Sequence, residues 1–233
     1  MVGPTTGPSF ASLRVGQLSY ATALSLQEEL LDKRRRSDCD TLILLQHPPV
    51  ITLGRGADDS GLNNTESSLR QCGIDVHRIS RGGEVTLHNP GQLVGYPIID
   101  LSNYGHDLHR YLRLLEEVLI RTAADYGITA IRQPGKTGIW VGEKKLASIG
   151  VGVRRWISWH GFALNICNDL EQFRHIVPCG MPDVRMTSFK ELGSDPVKVT
   201  TVEDDLIRNF SKVFQSRYQG EYEPETVTQT SLA

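Results

Sequence analysis

Cysteine is scarce here: four residues among 233, with no Cys-x-x-Cys pair, support neither a disulfide framework nor a zinc ribbon. Cys39, Cys72, Cys167 and Cys179 are therefore read singly, as thiols of a reducing compartment. Long apolar runs are also missing. Residues 41–45 and 96–99 are strand-sized, far short of the roughly 20 residues that a membrane helix needs. Charge of one sign is not in excess: 25 Lys and Arg against 27 Asp and Glu leave a net charge of -2, without the basic footprint of a nucleic-acid binder. The seven histidines show no metal-ligand spacing, so no metal site is expected. Residues 1–10 lack the basic and apolar blocks of a secretory signal, and no transit-peptide pattern is visible. The expected setting is the cytoplasm, or the mitochondrion if the source is eukaryotic.

What remains is the composition of a soluble globular enzyme, with no internal repeat and no linker. One domain is expected over 1–219, followed by a flexible C-terminal tail over 220–233. Tyr20, Ala23, Leu24, Leu30 and Leu31 recur at near-helical spacing and run into the basic stretch 33–36, which predicts a first helix. Strands are predicted over 41–46 and 50–53, separated by His47-Pro48-Pro49, which cannot continue a ladder. Residues 54–68 read as a surface loop, and strands over 76–80 and 93–99 flank a glycine-bearing connection. Leu108, Leu112, Leu115, Leu119, Thr122 and Tyr126 mark one face of a long helix that stops at Gly127. An antiparallel pair over 138–141 and 145–154 turns at Gly142-Glu143, and 161–166 is a further strand. A last helix is predicted from Thr201, capped with Asp204, burying Leu206, Phe210, Val213 and Phe214. This order fits an α+β or mixed α/β domain with a largely antiparallel sheet flanked by helices.

Four segments carry candidate chemistry. Residues 81–92 concentrate glycine between two strands, so they are either a hairpin connection or a place where a ligand approaches the backbone closely. Along 139–153 the odd positions are the apolar ones, and Lys145 rather than Lys144 shares their parity. Lys145 is therefore expected to point at the core, where desolvation disfavours the ammonium and suits the amine to proton transfer; the alternative is a strand-end lysine reaching for water. His160, in Trp159-His160-Gly161, is read as a structural histidine. Pro178-Cys179-Gly180 breaks regular structure and exposes a thiol on a bend, whereas Cys167 looks like a core residue.

Taken together, these residues resemble a known family, the octanoyl-[acyl-carrier-protein]:protein N-octanoyltransferases, or lipoyl(octanoyl) transferases. The resemblance is carried by His47-Pro48-Pro49 with Thr52-Leu53-Gly54-Arg55, by 81–92, by 142–150, by 160–165 and by Pro178-Cys179-Gly180, in family order over nearly the whole chain. It implies a single domain with the fold of the biotin and lipoate protein ligases. It implies Cys179 as the acyl-thioester nucleophile and Lys145 as the lysine that activates it. It also implies three substrate-binding stretches: Arg81-Gly82-Gly83-Glu84-Val85-Thr86-Leu87-His88, Ser148-Ile149-Gly150 and Gly161-Phe162-Ala163.

The activity so implied is transfer of an octanoyl or lipoyl group from acyl carrier protein to a lysine in lipoyl domains of 2-oxoacid dehydrogenases or of the glycine cleavage H protein. Beyond the donor's phosphopantetheine the expected reaction uses no cofactor, no ATP and no metal, and the expected enzyme is a monomer without nucleic-acid or membrane partners. Backbone N–H groups near Gly82-Gly83 or after Cys179 are the candidates for holding an oxyanion. Arg154-Arg155, Lys144 and Arg185 form a candidate basic rim for acidic partners. Three rivals stand beside this reading: an ATP-dependent lipoate or biotin ligase, a non-catalytic binder of acyl carrier protein or lipoyl domains, and a thiol hydrolase using Cys179 with His88 or His160.

Overall fold

The computed structural model describes residues 7–37, 39–194 and 196–222, with position 59 described by its backbone alone. Strand β1 (Ser9–Gln17) leads to helix α1 (Tyr20–Arg34), whose first turn is capped by the Ser19 hydroxyl accepting from Thr22 N at 3.2 Å. β2 (Cys39–Gln46) and β3 (Val50–Leu53) follow, then α2 (Glu66–Gln71), β4 (Asp75–Arg78), β5 (Val85–His88) and β6 (Gln92–Ile98). Helix α3 (Leu108–Ala124) precedes β7 (Ile131–Gln133), β8 (Lys136–Val141), β9 (Lys144–Arg154) and β10 (Ile157–Asn165). A two-residue strand β11 (Arg185–Met186), helix α4 (Val199–Phe214) and β12 (Arg217–Glu221) complete the chain.

The strands form two sheets. In the large one the order is β12-β1-β2-β6-β10-β9-β8-β7 with β11 added beside β9, and in the small one it is β4-β3-β5. His47-Pro48-Pro49 does what proline chemistry dictates, carrying the chain from β2 in the large sheet to β3 in the small one. The centre of the large sheet is antiparallel, as expected. Its edge is not, because β1 runs parallel to both β2 and β12. Helices α3 and α4 pack together over one apolar cluster that includes Phe10, Leu115, Val118, Leu119, Leu206 and Phe210, and α1 closes a second with Ile43, Val94 and Ile98. The small sheet has its own core of Ile51, Leu53, Leu69, Val85 and Leu87. Among the described residues no helix is long and apolar enough to cross a membrane.

Several expectations need correction. The loop expected over 54–68 ends in α2, with Thr65 accepting from Ser68 N. The connection expected within 81–92 contains β5, paired antiparallel to β3. Helix α4 starts two residues before Thr201, its N-cap Lys198 makes no side-chain cap, and Asp204 pairs with Arg14 at 2.7 Å instead of capping the helix. Leu108 is exposed and Leu112 half-buried, while Tyr111 and Val118 fill the core face of α3 in their place. Gly220 and Glu221, expected in the tail, belong to β12, and Tyr222 accepts a hydrogen bond from Lys33 Nζ at 2.8 Å. Residues 223–233 of that expected tail lie outside the described residues.

Candidate active site

Pro178, Cys179 and Gly180 form a single tight turn between β10 and β11. Cys179 sits in the left-handed region at φ 57°, ψ 27°, and Gly180 follows at φ 65°. A non-glycine residue held there carries strain of about 1–3 kcal/mol, a feature that concentrates at functional sites. The turn leaves the thiol half-buried, and Lys145 Nζ donates to its sulfur at 3.0 Å. The Ser148 hydroxyl stands 4.0 Å from the same sulfur. Lys145 itself is 3% exposed. Its stem runs past Gly138, where a Cβ would come within 2.9 Å of the Lys145 Cε, and its Nζ lies 5.2 Å from the centre of the Trp140 ring, within cation–π range.

The burial of Lys145 matches the parity reading, but the register behind it differs. A bulge between Ile139 and Trp140 places Trp140, not Ile139 or Val141, opposite Lys145. Alternation along β9 is incomplete as well, since Leu146 on the even face is fully buried and Val153 on the odd face is exposed. The sheet is covered on both sides here, so period-two patterning cannot assign faces by itself.

The dyad opens on a cavity of about 390 Å³, within the usual range for a small-molecule site. Its walls include all three expected substrate-binding stretches: Arg81 to Thr86 and His88, Ser148 to Gly150, and Gly161 to Ala163. Leu87 is the exception; it points into the core of the small sheet. Cross-strand pairing of Phe162 with Gly95 shapes one wall, because a Cβ at Gly95 would stand inside the Phe162 ring. Arg81 is buried, with Nη2 donating to Thr52 O at 2.8 Å and to its hydroxyl at 3.0 Å. Burial lowers its pKa, opposed by the nearby Tyr20 and Cys179. Tyr20, Arg55, Tyr96 and His160 also line the cavity; the sequence named Arg55 only within the 52–55 motif and His160 as a structural histidine or a rival's base, and Tyr20 and Tyr96 had no place in the expected site. Each comes alone from a different element, so no local pattern marks it.

The histidines around the cavity are held neutral. Burial pushes His47 down to about 4, and His88 and His160 down to about 3. His47 Nδ1 donates to Leu18 O at 2.7 Å, which leaves Nε2 to accept from the Tyr96 hydroxyl at 2.7 Å. Gln92 donates through Nε2 to Asn165 Oδ1 at 2.9 Å, so its Oε1 accepts from His88 Nδ1 at 2.8 Å. His160, at φ 53° and 1% exposed, has both ring nitrogens without a hydrogen-bond partner among the described residues. Its ring stacks on Trp159 with centroids 4.2 Å apart. Among the described residues no group of three or more His, Cys, Asp and Glu gathers as metal ligands do.

Other sequence expectations are redistributed. Gly82 N–H is engaged by Val151 O, Gly180 N–H by Val177 O and Met181 N–H by Pro178 O, so none of these three is free to hold an oxyanion. Cys167 is exposed rather than in the core. The basic rim is not one surface. Lys144 and Arg185 pair at the start of β9, with Lys144 bound to Glu191 at 2.6 Å, whereas Arg154 and Arg155 lie at its far end.

A family model described as the lipoyl protein ligase A/B catalytic domain matches residues 19–211. The chain is 47% identical to an octanoyltransferase of Geobacter metallireducens over 204 residues, covering 87% of this chain and 92% of that one. To an octanoyltransferase of Geotalea uraniireducens it is 49% identical over 189 residues, or 81% and 85% of the two chains. In fold it is similar to the crystal structure of lipoate-protein ligase A bound with ATP, with a TM-score of 0.71 at 19% identity over 94% of this chain and 90% of the other. Fold and site together define a lipoate-ligase-type domain whose cavity carries a cysteine beside a lysine. The chain belongs to the lipoyl protein ligase A/B catalytic-domain family, among its octanoyltransferases.

Proposed function

We propose that this protein moves an octanoyl group from acyl carrier protein to the ε-amine of a lipoyl-domain lysine, through a thioester on Cys179. The observation that carries this is the 3.0 Å contact of Lys145 Nζ with Cys179 Sγ at the wall of the cavity. The thiolate is the form that attacks, and an amine in contact with the sulfur is placed to take its proton. It adds to the carbonyl carbon of the octanoyl thioester, and collapse of the adduct breaks the bond to the carrier's sulfur, which leaves as a thiol with the proton that Lys145 Nζ gives up, so that Lys145 ends the step as a neutral amine. One thioester replaces another, so the step is close to balanced and needs neither nucleotide nor metal. In the second step the acceptor amine attacks the acyl-cysteine, and the amide forms as the Cys179 thiolate departs. Lys145 as a neutral amine accepts the proton that the nitrogen loses, a contribution of about 10²–10⁴ in rate. The neutral imidazoles and the apolar faces of Phe162 and Val151 suit an uncharged alkyl chain.

Intact-mass spectrometry after mixing with octanoyl carrier protein tests this. Wild type is expected to gain one octanoyl group, and Cys179→Ala none. An equally strong adduct on Cys179→Ala, or transfer to a lipoyl domain that demands ATP, removes the reading; the latter establishes the ligase alternative.

A further inference from the structure

Strand β10 departs from regular geometry at one residue. His160 stands at φ 53° inside the strand, while Trp159 and Gly161 on either side keep their pairing with Gly152 and Gly150. A left-handed histidine within a ladder is strained. Both of its ring nitrogens are also buried without a hydrogen-bond partner among the described residues, which weakens the fold further. Such departures concentrate where a ligand is handled. The residue is nevertheless fixed in place. Its backbone N–H donates to Gln27 Oε1 of α1 at 2.8 Å, and its ring stacks on Trp159 with centroids 4.2 Å apart. A histidine serving the fold alone would find partners for its nitrogens; this one is rigidly held at the wall of the catalytic cavity and left with none.

Register fixes how far this residue stands from the nucleophile. The Ser148 hydroxyl is 4.0 Å from Cys179 Sγ, and Ser148 pairs with Ala163. From there the pairs run Ile149 with Phe162, Gly150 with Gly161 and Val151 with His160, and every one of these residues lines the catalytic cavity. His160 is thus three positions along the strand from the pair at the thiol, about 10 Å at the rise of an extended chain. An octanoyl group, at about 1.2 Å of advance for each of its carbon-carbon bonds, reaches about 9 Å from carbonyl carbon to methyl. Trp159 and Gln27, which hold His160, do not line the cavity, so along this row the space ends at the imidazole. A longer alkyl chain would press its last methylenes against two unpartnered nitrogens and the indole stacked on them. We infer that His160 is the residue that ends the acyl-chain subsite, so that Cys179 takes chains of about eight carbons and refuses markedly longer ones. The inference rests on the acyl transfer proposed above and adds to it the class of acyl group that the site admits.

Single-turnover acylation by octanoyl, decanoyl and dodecanoyl carrier protein, followed by intact mass, tests it. Wild type is expected to react at least about 10-fold more slowly with the dodecanoyl than with the octanoyl carrier. His160→Gly, which opens the end of the row, is expected to raise the dodecanoyl-to-octanoyl rate ratio by at least about 10-fold. Glycine suits the left-handed backbone, so the variant is expected to keep the fold. Should it fail to melt cooperatively, His160→Asn carries the same test, because asparagine also accepts that backbone and is shorter, and the decanoyl carrier should then gain most. A histidine with a structural role alone would slow every donor by one factor and leave the ratio where it was. That result in a folded variant, or a wild type that takes octanoyl and dodecanoyl equally, overturns the inference while the acyl transfer stands. If wild type gains no acyl group from any donor, the transfer itself has failed and the inference falls with it.

Discussion

Strand β9 has two cationic ends that the fold treats in opposite ways. At its start Lys144 and Lys145 are adjacent; one points to solvent and pairs with Glu191, and the other is sealed against Trp140, Gly138 and the Cys179 turn. At its finish Arg154 and Arg155 are both exposed on a strained hairpin. Charge is thus confined and directed at one end and displayed at the other. The difference comes from what covers each end: β8, β11 and the cysteine turn enclose the first, and the second meets the segment 100–106, through Asp100 opposite Ile157, Leu101 N–H on Trp156 O and His106 against the Trp156 ring. An enclosed cation acts on the one atom it faces, because little water intervenes, whereas an exposed one is screened within about 10 Å and acts on approaching partners.

The comparison can be broken most sharply at the enclosed end. Lys145→Ala is expected to lower acyl-transfer rate by about 10²–10⁴, and Lys144→Ala by less than about twofold, measured side by side in single-turnover assays. Comparable losses would mean that burial does not distinguish the two lysines. Next in size is the packing that supports the enclosure. Leu115→Ala in the α3 core is expected to destabilise by about 2–5 kcal/mol in denaturant titration, and Leu108→Ala, at the exposed start of the same helix, by well under about 1 kcal/mol.

Acid sharpens the contrast further. His47, His88 and His160 have folded pKa values of about 4, 3 and 3, below the unfolded value near 6.5. Below pH 6.5 the unfolded chain takes up protons that the fold refuses, so the stability they represent is present above 6.5 and is lost as pH falls toward 4 to 3. Each buried histidine is worth about 2 kcal/mol between pH 6.5 and 5. The melting temperature should fall over that window, and His88→Gln should flatten the fall by roughly one third; an unchanged slope would contradict the assigned burial. The smallest expected effect is at the displayed end, where Arg155→Asn with Trp156→Gly is expected to raise stability by about 1 kcal/mol.

Much of the local structure was legible in the amino-acid order because its causes are local. Proline in His47-Pro48-Pro49 ends a ladder wherever it stands, Gly127 at φ 74° stops α3, and the turn at Gly142-Glu143 joins β8 to β9. Pro178-Cys179-Gly180 was legible for the same reason, since two residues that break regular structure leave the thiol on a bend. The capping of α4 at Thr201 was misread because tertiary pairing of Asp204 with Arg14 outweighed a weak local signal. The edge strands β7 and β12, and β1 inside the β12 edge, were missed because their residues become strands only through pairing with partners elsewhere in the chain.

By itself, then, the order of residues determined the helices with clear periodicity, the chain-breaking corners and the bend that carries Cys179, since each depends on backbone chemistry within a few positions, whereas the exposure of Cys167 was misread. Only the tertiary structure decided that Lys145 meets Cys179, that Tyr20, Tyr96 and His160 share their cavity, and that the cations of β9 fall on two surfaces rather than one. Those outcomes depend on which strands pair and in what register, and a single bulge between Ile139 and Trp140 is enough to change which side chain faces the lysine.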